Sequence, residues 1–160
     1  TRNMIHGSLT RARKYDIPIM VDPKYHNFFE YWGVTVFKPN VREAEVAMNR
    51  PLQNDHELDR ASGELLARLQ AEQVLVTRGG RGMSLYRMGE QPIHIPTEAR
   101  EIHDVSGAGD TVISVLTLGI AAGLEAIDAA NLSNAAAGWV VAQIGVVPIT
   151  QEAMLKTVGD

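Results

Sequence analysis

The sequence predicts an α/β fold in which a mostly parallel sheet carries helices on its faces. Three short apolar or β-branched runs, at residues 17–21, 34–37 and 74–77, are typical of buried strands. Segments with a helical pattern alternate with these runs, and strand-then-helix units favour a parallel sheet. Ligands of such sheets bind at the edge where the carboxyl ends of the strands meet.

The other elements follow from local patterns. Residues 9–15 end a helix with basic residues in its last turn, and residues 25–32 form a short helix. Asn40 caps the helix 41–48, in which Glu43 completes a capping box. An amphipathic pattern predicts a helix over 55–71. Residues 83–87 and 93–95 are predicted as antiparallel strands, and 111–122, 125–143 and 150–158 as helices.

Composition excludes several classes of protein. A chain of 160 residues with 45% hydrophobic and 21% charged residues fits one domain with a real core. The net charge of −4 argues against a nucleic-acid or anionic-membrane surface. The absence of cysteine excludes disulfides and thiol chemistry and agrees with the reducing cytoplasm, our expected location. The longest apolar stretch, 112–124, is shorter than the ~20 residues of a membrane span and is interpreted as a buried helix.

The most informative segment is Asp-Val-Ser-Gly-Ala-Gly-Asp at residues 104–110, directly before an apolar helix. Backbone N–H groups at a helix N-terminus bind anions, and Gly107, Ala108 and Gly109 would offer such groups to a phosphoryl group. Asp110 is the candidate general base beside it. An acid in a first helical turn is also favoured by the helix dipole alone. The closely spaced small residues favour the functional interpretation, because they let a ligand approach the backbone.

Weaker candidates lie after the predicted strands. Asn40 and Glu43 have oxygen ligands suited to a hydrated Mg²⁺, although their spacing is equally that of a capping box. Asp22 and Lys24 form either a phosphate contact or a polar turn. Residues 77–82 form either a nucleotide loop or a simple glycine turn, and no Walker pattern occurs. Residues 134–138, Asn-Ala-Ala-Ala-Gly, suit close helix packing or a flat wall for a purine.

Taken in order, these motifs resemble the C-terminal part of the PfkB, ribokinase-like, family of carbohydrate kinases. The resemblance rests on Asp22-Pro-Lys24, Pro39-Asn40 with Glu43, Thr77 to Gly79 with Gly82, residues 104–110 and residues 134–138. It implies a three-layer α/β/α fold, of which this chain is only the C-terminal, nucleotide-binding portion. Residues 21–35, 95–101 and 104–112 are closer to the kinase module of the heptose 7-phosphate kinases, which act in ADP-heptose and lipopolysaccharide core biosynthesis.

The resemblance also implies roles for individual residues. Asp110 would activate a sugar hydroxyl, and Gly107, Ala108 and Gly109 would form the anion hole. Asn40 and Glu43 would hold Mg²⁺ through water. The residues implied in binding ATP are Lys24, Asn40, Thr77, Gly79, Gly82, Asn131 and Asn134. Asp104 and Ser106 would belong to a monovalent-cation site, for K⁺, although Val146 departs from the small or hydroxylated residue of many relatives.

The implied function is ATP-dependent phosphorylation of the anomeric hydroxyl of a heptose 7-phosphate to the 1,7-bisphosphate. The alternatives are another sugar kinase of the family, or an inactive nucleotide-binding fragment. We expect residues 1–160 to be a single partial domain, because the family's N-terminal sugar-binding half is not in the sequence. The His-x-Gly-His motif of a nucleotidyltransferase domain is also absent. The expected partners are ATP and a phosphorylated sugar, with no nucleic acid or membrane; a homo-oligomer stays open. We expect the fragment alone to be inactive.

Overall fold

The computed structural model describes residues 1–98 and 103–158 of the chain. Within these residues five strands form one sheet in the order β1-β2-β3-β4-β5, and β1 pairs with β2 and β2 with β3 in parallel. The strands are β1 (Met20–Val21), β2 (Val36–Phe37), β3 (Gln73–Thr77), β4 (Met83–Arg87) and β5 (Ile93–Ile95). The prediction of an α/β fold is confirmed, and the antiparallel direction of β4 and β5 stays a prediction.

Six α-helices lie within the described residues. They are α1 (Arg2–Lys14), α2 (Val41–Met48), α3 (Asp55–Leu69), α4 (Ala108–Ala121), α5 (Ala126–Val141) and α6 (Gln151–Val158). Two 3₁₀ helices, Tyr25–Glu30 and Gly79–Arg81, occupy the predicted short helix and the glycine turn. Of the stretch 95–101 that the resemblance used, residues 99–101 lie outside the described residues.

Two predicted boundaries were wrong for physical reasons. β1 keeps only two of the five residues predicted for it, because Pro18 lacks the N–H that a ladder needs and Ile17 is exposed. Helix α4 begins at Ala108 and not at residue 111, so the second half of the glycine-rich segment is already helical. Asn40, in contrast, caps α2 as predicted.

The chain divides into two compact units. The first, residues 1–78 and 84–93, is built around a core in which Val34, Phe37 and Val74 of the strand segments pack with the leucines of α3. Leu58, Leu65 and Leu69 are almost fully buried there, as the amphipathic pattern predicted. Each α3 leucine in this set is expected to contribute about 1.5–3 kcal/mol by burial.

The second unit, residues 79–83 and 94–160, is dominated by packing of α4 against α5. Gly119 allows this close approach, since a Cβ atom there would lie 3.0 Å from the Cβ of Ala129. The interpretation of 112–124 as a buried helix was only half right. Val112, Val115 and Leu116 are buried, whereas Leu118 is 68% exposed on the other side of α4. None of the described helices is long and apolar enough to cross a membrane.

Tyr86 of β4 makes the stability of the first unit sensitive to alkali. Burial raises the pKa of its phenol, and a hydrogen bond of 2.9 Å to the carboxylate of Asp59 raises it further. Because the folded-state pKa lies above the unfolded value of about 10, stabilisation is complete below pH ~10 and lost as the pH rises further. Tyr86→Phe should cost about 1 kcal/mol of unfolding free energy at pH 7 and reduce the loss of stability above pH 10.

Urea denaturation at pH 7 and pH 10.5 measures this effect. Tyr25→Phe, at an exposed tyrosine, is the matched control and should retain the alkaline loss of stability. An equal alkaline loss in the Tyr86→Phe variant and in the unmodified chain would contradict the role of Tyr86.

Candidate functional site

In the first unit, the parallel strands bring polar residues from separate segments to one edge of the sheet. Asp22 follows β1, and Thr77 ends β3. Asn40 forms an isolated parallel bridge with Thr77, whose backbone N–H donates to the Pro39 carbonyl over 3.0 Å. The prediction that Asn40 and Thr77 meet at the carboxyl edge is therefore confirmed.

Asn40 and Glu43 form a complete capping box. The Glu43 N–H donates to Oδ1 of Asn40, and the Asn40 N–H donates to Oε2 of Glu43, each over 2.8 Å. The Glu43 side chain is only 8% exposed, and its Oε1 lies 4.0 Å from Nζ of Lys24. The capping interpretation is thus correct. The cap uses Oε2 of Glu43 and leaves Oε1, which lies near Lys24, outside it.

Lys38 is a site residue that the sequence analysis missed. Its side chain is 3% exposed, and its Nζ lies 3.1 Å from Oδ1 of Asp22. The other oxygen of Asp22 accepts from Nζ of Lys24 over 3.3 Å. A lysine is rarely buried unless it is paired with an acid. The position of Lys38 between a buried strand and Pro39 could therefore have indicated a buried ion pair. Asp22 thus pairs with both Lys38 and Lys24. With Glu43 beside Lys24, two negative side chains balance two positive ones.

The glycines of the turn after Thr77 have different reasons to be glycine. A Cβ atom on Gly82 would lie 2.1 Å from the carbonyl oxygen of Ile95, so backbone packing requires glycine there. Gly80 has no positive φ, and a Cβ atom there would meet nothing within 4 Å. Packing explains Gly82 without a ligand, whereas neither packing nor backbone conformation requires glycine at position 80. Gly79 adopts a φ of 59° and is exposed.

In the second unit, residues 104–107 lead into the N-terminus of α4. Gly107 is the N-cap with a φ of 80°, and no side chain caps the helix. The first N–H groups of a helix have no acceptor within it. The Ala108 N–H donates to the Val105 carbonyl over 3.3 Å, and those of Gly109 and Asp110 are disposed to bind an anion. Asp110 lies in this first turn and is exposed. The predicted base and anion hole are therefore consecutive residues of one helical turn.

Asp104 is fixed in place by backbone hydrogen bonds. Its carboxylate accepts from the Ser106 N–H over 2.8 Å, and its own N–H donates to the Val141 carbonyl at the end of α5 over 3.2 Å. The hydrogen bond from the Ser106 backbone, and then one from the Ser106 side chain, lower the pKa of Asp104. A carboxylate beside the negative end of a helix dipole creates a local preference for a cation.

Helix α5 favours the packing interpretation of residues 134–138. Ala135, Ala136 and Ala137 are buried. Asn134 is also buried, and its Nδ2 donates to the Pro96 carbonyl over 2.7 Å, which ties α5 to the segment after β5. Asn131 is exposed. The predicted contact of Asn131 and Asn134 with adenine stays a prediction, and Asn134 has a structural role in any case.

The described residues contain no group of three acidic or histidine side chains that could hold a metal ion. A magnesium site as predicted would rely on Asn40, Glu43 and water, with no carboxylate cage among the described residues. Mg²⁺ commonly keeps several waters and binds phosphate oxygens, so this donor set fits it.

Comparison with known proteins identifies the family. A family model described as pfkB family carbohydrate kinase matches residues 8–153. The chain belongs to this family. Carbohydrate kinases are phosphotransferases with an alcohol group as acceptor, so membership confirms the predicted family and class of enzyme.

Curated relatives match almost the whole chain. The bifunctional protein HldE of Pelobacter propionicus is 44% identical over 158 residues, which are 99% of this chain and 32% of that protein. HldE of Vibrio parahaemolyticus is 40% identical over 154 residues, 96% of this chain and 32% of that protein. The predicted similarity to the kinase module of a bifunctional protein is confirmed. The chain spans about a third of the length of these pfkB-family relatives.

Solved structures confirm the ribokinase-like fold. Phosphofructokinase-2 of Escherichia coli, in complex with substrates and products, matches with a TM-score of 0.84 at 20% identity, over 98% of this chain and 52% of that chain. Ribokinase of Arabidopsis thaliana, complexed with ribose and ATP, matches with a TM-score of 0.84 at 21% identity and the same coverages. At these identities the likeness concerns the fold alone.

The hydrogen bonds at Asp104 predict how its carboxylate titrates. Because these hydrogen bonds lower the pKa of Asp104 in the folded state, any stabilisation from its charged form is present above the pKa of the unfolded state. That stabilisation is lost as the pH falls through the pKa of the folded state. Carboxyl ¹³C NMR should place the pKa of Asp104 below the ordinary value of 3.8. Ser106→Ala should raise the pKa only partly, because the backbone N–H remains. An unshifted Asp104 in the unmodified chain would contradict the hydrogen bond.

Proposed function

We propose that this chain supplies the ATP-binding and catalytic part of a sugar kinase. The observation that carries the proposal is the first turn of α4, where uncapped N–H groups and the exposed carboxylate of Asp110 occur together. Phosphoryl transfer depends mainly on positioning and on donors aimed at developing negative charge. A helix N-terminus supplies the donors, and an adjacent acid supplies the base.

In the proposed reaction, Asp110 accepts the proton of a sugar hydroxyl as the oxygen forms a bond to the γ-phosphorus of ATP. The bond between that phosphorus and the β,γ-bridging oxygen breaks, and ADP leaves. The N–H groups of Gly107, Ala108 and Gly109 stabilise charge on the transferring group. Thr77 and Gly79 contact the phosphates of ATP, and Lys24 lies near them.

Mg²⁺ and K⁺ are the proposed cofactors. Asn40 and Glu43 would order water around Mg²⁺, which neutralises phosphate charge when it is bound. Asp104 and Ser106 would hold K⁺ close to the carboxyl end of α5. Potassium has support from E. coli phosphofructokinase-2, which was solved in complex with it and shares the fold with a TM-score of 0.86.

The proposed acceptor is a heptose 7-phosphate, phosphorylated at its anomeric hydroxyl for ADP-heptose biosynthesis. Identities of 40–44% to HldE proteins across nearly the whole chain support this choice over other sugars of the family. A cytoplasmic location accords with a biosynthetic enzyme that uses ATP. A homo-oligomer also has support, since a tetrameric form of E. coli phosphofructokinase-2 has the same fold.

A second candidate is nucleotide binding without turnover by the 160-residue chain. It is favoured by coverage, because the chain matches only about half of each solved kinase and a third of each curated relative. We therefore propose one partial domain that needs further residues of its natural protein to hold the acceptor sugar.

Replacing Asp110 by Asn in the full-length natural protein should lower turnover by at least ~10²-fold while ATP affinity stays within about twofold. The amide keeps the size of the side chain but accepts no proton. Asp128→Asn is the matched control, because Asp128 also lies in the first turn of an apolar helix, α5, and is exposed. The measurements are steady-state kinetics with heptose 7-phosphate and titration calorimetry with ATP–Mg²⁺.

Equal losses in both variants would mean that the helix dipole, rather than base chemistry, explains the effect. Normal turnover of Asp110→Asn would refute the base. Activity with fructose 6-phosphate or ribose that exceeds activity with heptose 7-phosphate would overturn the acceptor but keep the kinase. ATP binding without turnover by the unmodified 160-residue chain would support the second candidate.

The magnesium role of the α2 cap can be separated from its structural role. Asn40→Ala should cost about 1 kcal/mol of stability and remove most of the Mg²⁺-dependent gain in ATP affinity. Asn54 caps α3 in the same way, accepting from the Glu57 N–H over 2.9 Å, and is the control. Asn54→Ala should cost similar stability and leave ATP affinity unchanged. Calorimetry with and without Mg²⁺ tests this, and equal Mg²⁺ dependence in both variants would remove Asn40 from the site.

A further inference from the structure

Arg78 is a nearly buried arginine that stands between Thr77 and Gly79. Its side chain is 5% exposed. Nη1 donates to Oγ of Ser84 over 2.9 Å, and Nη2 donates to Oδ1 of Asp55 at the start of α3. The planar guanidinium holds these two acceptors in a fixed relation that the single ammonium of a lysine cannot reproduce.

Arg78 and Ser84, which the first of these hydrogen bonds joins, flank a short segment of the chain. The chain leaves the first unit after Arg78 and returns to it at Ser84, with residues 79–83 between them. The Arg78–Ser84 bond therefore fixes the distance between the two points from which this segment extends. Asp55 holds the same guanidinium to α3. We call Arg78 with Ser84 and Asp55 the Arg78 clamp.

A second contact to α3 supports the clamp. The Ser84 hydroxyl also hydrogen-bonds the phenol of Tyr86, and that phenol donates to Asp59, one turn after Asp55 on α3. Asp55 and Asp59, two carboxylates of α3, thus hold Arg78, Ser84 and Tyr86 in one hydrogen-bonded group. Ser84 is fully buried and Tyr86 nearly so, whereas Asp55 is exposed, so it is the hydrogen bond between Ser84 and Tyr86 that is shielded from water.

The segment held by the clamp is exposed at its start, residues 79–81, and buried at Gly82 and Met83. Its 3₁₀ turn is closed by the Gly82 N–H, which donates to the Gly79 carbonyl over 2.9 Å. Gly79 and Gly80 are exposed, and a Cβ atom on either would meet nothing within 4 Å. Glycines lose the most conformational entropy on ordering, so a loop of this kind binds a ligand weakly unless something outside it fixes its shape.

We infer that Arg78 is a positioning residue for nucleotide binding, which acts by holding both ends of segment 79–83 and not by touching the nucleotide. This inference rests on the proposed nucleotide role of Thr77 and Gly79. The clamp lowers the entropic cost of ordering the loop around phosphate. Its loss raises the KM for ATP and leaves kcat and the KM for the sugar almost unchanged, because Arg78 is not part of the proposed base and anion hole.

The test uses Arg78→Lys and Asp55→Asn in the full-length natural protein. Arg78→Lys should raise the KM for ATP about tenfold, and Asp55→Asn about threefold because an asparagine oxygen still accepts a hydrogen bond. Glu57→Gln is the matched control: Glu57 is also an acid of the first turn of α3, and its carboxylate accepts from the Gln53 N–H over 2.7 Å. Its KM should stay within about twofold. Asp55 is 54% exposed, so its variant should fold normally.

Hydrogen exchange of the peptide covering residues 79–83, measured without nucleotide, judges the clamp independently of the proposed function. Exchange should be faster in Arg78→Lys and Asp55→Asn than in Glu57→Gln. Unchanged exchange would overturn the clamp. Faster exchange with an unchanged KM for ATP would overturn its role in nucleotide binding. If the unmodified protein binds no ATP, the proposed function itself fails, and the exchange result still decides whether Arg78 holds the segment.

Discussion

Parallel pairing of β2 with β1 and β3 is the constraint on which the first unit depends. The registers that place Val21 beside Phe37 and Phe37 beside Val74 bring the ends of three separate segments to one edge. Asp22, Asn40 and Thr77 are distant in sequence and are brought to this edge by the pairing. A slip by one residue in any strand would turn buried side chains to the other face of the sheet and would also disperse the polar edge.

Polar groups at this edge serve structure and chemistry together. One side-chain oxygen each of Asn40 and Glu43 caps α2, the second oxygen of Glu43 lies near Lys24, and Asp22 neutralises Lys38 while also contacting Lys24. In the second unit the first turn of α4 is different, because no side chain caps it. The chain thus caps one helix N-terminus with side chains and the other with none, and the uncapped one is the proposed phosphate site.

Local patterns in the sequence were sufficient for much of this fold. The bounds of α2, β4 and β5 agree with the prediction, because a capping box specifies the helix and turns at Gly82 and Gly89 delimit the strands. The site was predictable where function requires unusual local sequence, as at residues 104–110. Lys38 and Arg78 were not recognised, since a charged residue becomes informative only when its burial and partner are known, and both depend on contacts distant in sequence. The start of α4 was misplaced because Gly107, Ala108 and Gly109 are a poor helical pattern that the N-terminal turn nevertheless accommodates.

Gly80 and Gly82 differ in whether the fold itself requires glycine at that position. At position 82 any side chain would collide with the backbone of Ile95, so a selection for folding alone retains glycine there. At position 80 the fold tolerates a side chain, because a Cβ atom there would meet nothing within 4 Å. The two glycines, two positions apart, therefore differ in how well the fold tolerates their substitution. A protein evolved in the laboratory under selection for abundance alone would therefore be expected to lose Gly80 before Gly82.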